Sequence, residues 1–336
     1  MSRAAPILSI IIVNWNSWGV LRNCLESLRQ HAAAVAHEII VIDNHSADES
    51  VAHLPRDYPE VSLLALDTNV GFPKANNLGF AQAHGKYFLA LNPDTTVHPG
   101  AIQESIQFLE RHADYACVGV KTLKTNGQVQ FCCARQYPTV RGVMANILML
   151  DKVLPGATWL QSVDLTFWDH QDSRDVDMLA GSYMMFRRAI FETLGGLDER
   201  VLMFLEDVEF CLRLRKHGYR IRYLGTVSIT HHVGQSTAKA TPRPIAELRY
   251  KAWQMVIQEC YGPRVAKQFT WLLLPVLTLK LLLLPPLCLG IYFKNRENRL
   301  VREVSETVFA LFWAAGTATR SLLNRAERGL ALPDRS

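Results

Sequence analysis

Three apolar, β-branched runs near the start of this chain each end on a small cluster of amides and carboxylates, and that recurrence restricts the fold more than any other feature. Ser9–Val13 runs into Asn14, Glu38–Ile42 into Asp43-Asn44, and Tyr87–Leu91 into Asn92-Pro93-Asp94. A further candidate strand covers Ser62–Leu66, and helical spacing of apolar residues fills the gaps from about Val20 to Arg29 and through Lys74–His84. Short apolar runs alternating with helices predict a mostly parallel sheet flanked by helices on both faces. Ligands bind such sheets beyond the carboxyl ends of the strands, so Asn14, Asp43, Asn44 and Asp94 are expected around one pocket.

Residues 115–262 read differently. A strand is expected near Ala116–Val120, then a less regular stretch rich in Asp, Trp and Arg, then a strand over Met178–Phe186. A short helix ends at Gly195-Gly196, and another over Glu206–His217 ends at Gly218, where glycine suits a left-handed cap. The domain reading is therefore 1–115 as a strand–helix half, 116–262 as a second half of the same domain, and 263–336 as a hydrophobic, basic helical tail.

The tail owns the excess positive charge. The net charge is +5; from Arg264 onward there are 11 Lys/Arg against 5 Asp/Glu, and before it 25 against 26. This argues against nucleic-acid binding, which needs a basic patch on the folded body, and it suits an anionic membrane surface. Phe269–Phe293 spans 25 residues with one charge, Lys280, and three prolines. It is long enough to cross a bilayer, but Lys280 and Pro285-Pro286 count against a clean span. Val301, Val304, Val308, Leu311, Phe312 and Ala315 then recur at helical spacing among Arg299, Arg302 and Arg320, as in an interfacial helix. The alternative is a helical hairpin that packs on the body or forms a homodimer. The seven cysteines are odd in number and show no C-x-x-C spacing, which favours a reducing compartment over a disulfide framework or zinc site. The run Leu8–Val13 is too short for a signal sequence and reads as a buried strand.

Each polar cluster has a structural explanation beside a chemical one. Ser46 and Glu49 have the spacing of a capping box, which leaves Asp43-Asn44 free to meet a base or ribose. Asn69, Gly71, Asn76 and Asn77 precede or open a helix; turn chemistry explains asparagines there, and so does binding of a nucleotide or sugar. Asn92-Pro93-Asp94 is a natural turn and also a carboxylate placed to hold a hard divalent cation. Glu206, Asp207 and Glu209 crowd a first helical turn, where the helix dipole favours acids, but three carboxylates in four residues exceed what capping requires. One of them could take a proton from an acceptor hydroxyl. His231-His232-Val-Gly234-Gln-Ser236 follows an apparent strand and suits a ligand or phosphate contact.

In order and spacing, Val13-Asn14, Asp43-Asn44, Asn69-Gly71-Phe72, Asn92-Pro93-Asp94, Gly181, Gly195-Gly196-Asp198-Glu199, Glu206-Asp207 and His231 resemble the family 2 glycosyltransferases of the GT-A fold, in their rhamnosyltransferase-like bacterial branch. The resemblance covers about residues 7–240, and it implies that 1–115 is the nucleotide-sugar-binding half and 116–262 the acceptor-binding and catalytic half of one domain. It implies that Asn14, Asp43, Asn44, Asn69, Gly71, Asn76, Asn92, Gly181 and Glu206 line a nucleotide-sugar site. It further implies that Asp94 and His231 bind Mg²⁺ or Mn²⁺, and that Asp207 is the catalytic base. Asn92 stands where the family's D-x-D motif has its first aspartate, so Asp94 is left as the charged metal ligand. The implied activity is inverting transfer of a sugar, with deoxythymidine-diphosphate rhamnose as the favoured donor and a uridine-diphosphate sugar as the alternative. A lipid-linked or surface glycan would be the acceptor, at the cytoplasmic face of the inner membrane. Competing readings are a nucleotide-binding module that has lost catalysis, a nucleotidyltransferase and a membrane-anchored scaffold. A nucleotidyltransferase is disfavoured because the segment Asn14–Gly19 lacks a glycine-rich basic loop.

Overall fold

A computed structural model describes residues 5–200, 204–232, 242–291, 306–308, 310–311 and 314–318. The chain forms two compact units, residues 1–137 with 162–239, and residues 138–161 with 240–336. The boundary expected at residue 262 falls inside a long helix of the second unit.

The first unit begins with β1 (Leu8–Asn14), α1 (Trp18–His31), β2 (His37–Asp43), α2 (Ser50–Asp57), β3 (Ser62–Ala65), α3 (Phe72–Gln82), β4 (Tyr87–Leu91), β5 (Thr95–Val97), α4 (Ala101–Arg111), β6 (Tyr115–Leu123) and β7 (Ala134–Arg135). The second unit supplies α5 (Val140–Ile147) and α6 (Leu150–Val153) before the chain returns with β8 (Arg174–Asp175), β9 (Met178–Leu179), β10 (Tyr183–Arg187), α7 (Arg188–Leu194), α8 (Glu206–Lys216) and β11 (Arg220–His231). The main sheet has the order β3-β2-β1-β4-β10-β6-β11-β5, with β8 on β11. Strands β1, β2, β3, β4, β6 and β11 share one direction, and β5, β8 and β10 oppose it. The expected mostly parallel sheet is therefore present.

Every residue of β1 is buried, which a parallel strand requires when helices cover both faces. Leu8, Ile10 and Ile12 join Leu21, Leu25 and Leu28 of α1 in one core. On the other face, a Cβ on Gly79 of α3 would stand 2.6 Å from Ile11 Cγ2, so this helix lies close only because residue 79 is glycine. Phe80, Phe88, Phe186 and Phe210 fill that side, with Phe80 and Phe88 stacked at 5.7 Å and Phe186 and Phe210 at 5.1 Å.

Two local expectations are corrected. The strand expected over Met178–Phe186 is two strands, because Ala180–Ser182 turns out of one pairing and into another. Met178-Leu179 pairs with β7, and Tyr183–Arg187 pairs with β4 and β6. The capping box also fails. Helix α2 starts at Ser50 with no side-chain cap, and Ser46 Oγ instead accepts from Asn14 Nδ2 and from Asn16 N, at 3.2 and 2.9 Å.

In the second unit, α9 (Pro242–Ile291) breaks at Gly262, whose φ of 84° is left-handed. Gln254 Nε2 donates to Thr270 Oγ1 across that break at 3.0 Å. Ala266, Phe269, Leu273 and Leu277 are buried along one side of the second arm. Trp271, Leu272, Leu279 and Leu282 are exposed. Val308, Leu311 and Ala315 of the expected interfacial helix are helical; Phe293, Arg299, Val301, Arg302, Val304, Phe312 and Arg320 lie outside the described residues, as do Gly234 and Ser236.

Candidate active site

The carboxyl ends of β1, β2 and β4 carry the first group of expected residues. Asn14 and Asp43 are partners in the β1·β2 register. Asn14 Nδ2 donates to Asp43 Oδ2 at 2.8 Å and to Ser50 Oγ at 2.9 Å, while Asp43 Oδ1 accepts from Ser46 N at 2.8 Å. Asp43 thus organises the turn that follows β2. Asn44 reaches sideways: its Nδ2 donates to Asn69 Oδ1 at 3.0 Å and its Oδ1 accepts from Val70 N at 2.9 Å. Asn69 Oδ1 also accepts from Gly71 N at 3.0 Å. Gly71, at φ 88°, turns the chain into α3 where a side chain would be strained. Asn76 is buried and bonds back to Phe72 O at 3.0 Å, inside its own helix. Among the residues expected at a nucleotide-sugar site, Asn14, Asp43, Asn44, Asn69 and Gly71 form one connected network, and Asn76 is not part of it among the bonds described.

The second group surrounds Asp94. Thr95 Oγ1 caps Asn92 O at 2.7 Å and so fixes the turn after β4. β11 returns beside β5 with His231 opposite Thr95. This places His231 Nε2 3.1 Å from Asp94 Oδ1 and 3.3 Å from Asn92 Nδ2. His231 Nδ1 faces Gln130 Oε1 at 3.1 Å, a partner that can only accept, so Nδ1 carries a proton. The Nε2 lone pair then accepts from Asn92 Nδ2 and also faces the Asp94 carboxylate, a contact that a proton or a cation between the two would relieve. Asn92 Oδ1, buried and without a hydrogen-bond partner among the described residues, adds a second open acceptor beside it. Carboxylate, amide oxygen and imidazole are donors that Mg²⁺ or Mn²⁺ accepts, with one or two carboxylates supplemented by phosphate oxygens. These residues fit such an ion. His232 differs from His231: its ring faces Thr96 Oγ1 at 3.0 Å and Thr125 Oγ1 at 3.4 Å.

The third group stands at the start of α8, which Phe204 and Leu205 enter with φ of 68° and 61°. Non-glycine residues adopt this region at a cost and persist there when the surroundings hold them. Of the three acids, Glu209 is occupied by Arg213 at 2.8 Å. Asp207 Oδ2 accepts from Gly181 N at 2.9 Å and Oδ1 from Val208 N at 2.8 Å. Glu206 is buried, and its Oε2 has no hydrogen-bond partner among the described residues. Burial, and then the charge of Asp207 beside it, push its carboxyl up to about 8. Adjacent carboxylates with different surroundings can divide acid and base roles. Both reach a small cavity walled by Phe72, Phe80, Gly181, Met184 and Leu197.

A backbone bond at the end of the β4·β10 ladder connects the second and third groups: Asn92 N donates to Ser182 O at 3.2 Å, one residue from Gly181. Two residues near Asp207 escape sequence reading. Arg135 Nη1 is 3.4 Å from Asp207 Oδ2, and Arg135 Nε is 3.3 Å from Asp164 Oδ1. The carboxylates of both aspartates outweigh burial and hold the guanidinium pKa above its ordinary value. No local pattern marks Arg135 or Asp164, because their partners are 72 and 29 residues away.

Residues 9–195 match the family described as Glycosyl transferase family 2. The chain is 28% identical over 249 residues to the N-acetylglucosaminyl-diphospho-decaprenol L-rhamnosyltransferase of Mycobacterium tuberculosis, covering 69% of this chain and 78% of that protein. It is 24% identical to the rhamnosyltransferase WbbL of Escherichia coli, covering 66% of this chain and 82% of that one. Its fold is shared with the mannosyltransferase PcManGT from Pyrobaculum calidifontis, solved with GDP-Man and Mn²⁺. The TM-score is 0.56 and the identity 14%, over 94% of this chain and 87% of that structure. The architecture is of the GT-A type.

Proposed function

Because the chain belongs to glycosyl transferase family 2, we propose that it transfers one sugar from a nucleoside-diphosphate donor to an acceptor hydroxyl with inversion, using Asp207 as the base. The observation that carries this reading is the bond from Asn92 N to Ser182 O, which ties the Asp94–His231 end of the site to the Gly181–Asp207 end. A transferase needs both ends: one to receive the leaving diphosphate and one to take the acceptor's proton.

The chain's residues then have distinct tasks. Asn14, Asp43, Asn44, Asn69 and Gly71 shape the nucleoside rim, and residues 1–115 serve as the donor half. Asp94, His231 and the Asn92 amide oxygen would hold an Mg²⁺ or Mn²⁺ ion, which would supply counter-charge to the leaving diphosphate. Asp207, oriented by Gly181 N and Val208 N, accepts the acceptor's hydroxyl proton. The acceptor oxygen bonds to the anomeric carbon as the bond to the diphosphate oxygen breaks, and that bond's electron pair leaves with the diphosphate. One displacement inverts the anomeric centre. Holding both substrates in line supplies a large part of the rate.

The names of the relatives favour rhamnose as the sugar transferred, and one of them favours a lipid-linked glycan as acceptor; deoxythymidine diphosphate is the carrier that the family resemblance implies. Among the described residues one helical stretch, Glu247–Leu282, is long and apolar enough to cross a membrane. Its exposed Trp271, Leu272, Leu279 and Leu282 support seating on the cytoplasmic surface of a membrane, where a lipid-linked acceptor would be presented. The test is a donor screen that follows nucleoside diphosphate release with Mn²⁺, with Mg²⁺ and with excess EDTA. Release from deoxythymidine-diphosphate rhamnose alone supports the rhamnosyl reading. Release from a uridine-diphosphate sugar instead replaces it, and release from none favours a binding module.

A further inference from the structure

Arg135 is held by a two-stranded sheet that has no part in the main one. β7 pairs with β9, with Arg135 opposite Met178, and Asp177 N donates to Arg135 O at 3.1 Å. β9 runs directly into Gly181, whose N–H holds Asp207 Oδ2. The same small sheet therefore sets the position of both groups that touch Asp207 from outside its helix. Side-chain exposures of 15% for Arg135, 20% for Asp164 and 11% for Asp207 put all three charges in a largely water-excluded place.

A base changes charge once per turnover, and this matters to a buried neighbour. With Asp207 ionised, Arg135 has two carboxylates to balance it. Once Asp207 takes the acceptor's proton, Arg135 would, without Asp164, be a buried cation alone, and an unpaired buried charge is strongly unfavourable. Asp164 removes that difficulty, because it accepts from Arg135 Nε while Nη1 turns toward Asp207.

Resting on the reading of Asp207 as the base, we propose that Arg135 and Asp164 are a positioning pair: Arg135 aims the ionised Asp207, and Asp164 is the standing counter-ion that lets Asp207 be protonated. Among the described residues, the other titratable groups here are Glu206 and Glu209 on the same helix, Cys132 and Cys133 beside Arg135, Cys211 one helical turn along α8, and His170 beside Asp164. Burial holds Glu206, the three cysteines and His170 toward their neutral forms, and Arg213 pairs with Glu209. Arg135 is the cation in contact with Asp207, and Asp164 is the carboxylate in contact with Arg135.

The two residues should act in opposite directions. Removing a cation beside a carboxylate raises its pKa by about one unit or more, and removing a second carboxylate lowers it. In the pH profile of kcat/KM, Arg135→Met should move the acidic limb up by about one unit, and Asp164→Asn should move it down. Arg135→Lys should return the limb most of the way. Nucleoside diphosphate binding, measured by calorimetry on the full chain with Mn²⁺, should change less than about threefold, since donor contacts lie elsewhere. A limb that stays in place in both Arg135→Met and Asp164→Asn while nucleotide binding is intact overturns the proposal. If Arg135→Met does not fold, Arg135→Lys and Asp164→Asn decide: an unmoved limb in Asp164→Asn overturns it alone. Full activity of Asp207→Asn would instead remove the base reading on which the pair rests, and that result is obtained independently of any pH profile.

Discussion

His231 Nε2 lies 3.1 Å from Asp94 Oδ1, although 137 residues separate them, because β11 places His231 opposite Thr95. Two electron-rich atoms at this distance ask for a proton or a cation between them, and the metal is the reading that substitution can test. Asp94→Asn keeps the shape and removes the only charged ligand of the set. Transfer should fall nearly to background while the circular dichroism spectrum is unchanged. His231→Ala should be milder and partly rescued by raising Mn²⁺. Full transfer by Asp94→Asn, or by the wild type in excess EDTA, would exclude this metal role.

Asp207→Asn retains hydrogen bonding to Gly181 N but cannot take a proton. General-base catalysis contributes on the order of 10²–10⁴-fold, and a loss of that size is expected in kcat with donor binding little changed. Glu206→Gln should be much milder, since a carboxyl pushed up to about 8 is already protonated at neutral pH. Rates and donor affinities of the two variants test the assignment. A dead Glu206→Gln beside an active Asp207→Asn would reverse it.

The same carboxyl makes stability depend on pH. Its folded pKa of about 8 lies above the ordinary value of 4.5, so the fold prefers the protonated form. That contribution is complete below about pH 4.5 and is lost as pH rises through about 8. Glu206→Gln should therefore gain thermal stability relative to wild type at pH 9 but not at pH 5. Calorimetric midpoints at the two values check this, and an equal difference at both would contradict it.

Much of the site can be read from the chain, because its parts follow strand ends. Asn14, Asp43, Asn44 and Asp94 each come directly after an apolar run, and period and composition locate such runs well. The break between Leu179 and Tyr183 is invisible by the same rule: the residues on either side are apolar, and only pairing with β7 on one side and β4 on the other divides them. Ser46 misleads because a hydroxyl with the spacing of a cap is claimed by Asn14 and Asn16, 32 and 30 residues away. Arg135 and Asp164 are hidden for the same reason, and so is the grouping of residues 138–161 with the C-terminal helices.

Close packing at Gly79 gives a test of the fold itself. A Cβ there would come within 2.6 Å of Ile11 Cγ2 and 3.3 Å of Ile42 Cγ1. Overpacking of this kind costs about 1–3 kcal/mol, and the loss should exceed the small gain in helix propensity that alanine brings. Gly79→Ala is expected to lower the urea midpoint without changing the slope. A midpoint at or above that of wild type would show that α3 does not lie this near β1.

The exposed face of α9 predicts a physical partition. Full-length protein should pellet with anionic vesicles, and salt should weaken whatever part of the attachment comes from basic residues. Replacing Trp271 and Leu272 by serine should release it while leaving transfer to a water-soluble acceptor intact. Equal pelleting of wild type and variant, or none by either, would rule out this face as the attachment.

The bond from Asn92 N to Ser182 O has a consequence for redesign. It makes the span between the diphosphate end and the proton-accepting end a matter of strand register. Register is all-or-none: a slip of one residue in β10 would turn Tyr183 and Met185 out of the core they occupy. An engineer seeking a new acceptor therefore has to leave this register intact. Insertions or deletions between Leu91 and Asp94, or between Gly181 and Tyr183, would change the working distance and the core together, and they are the edits to avoid.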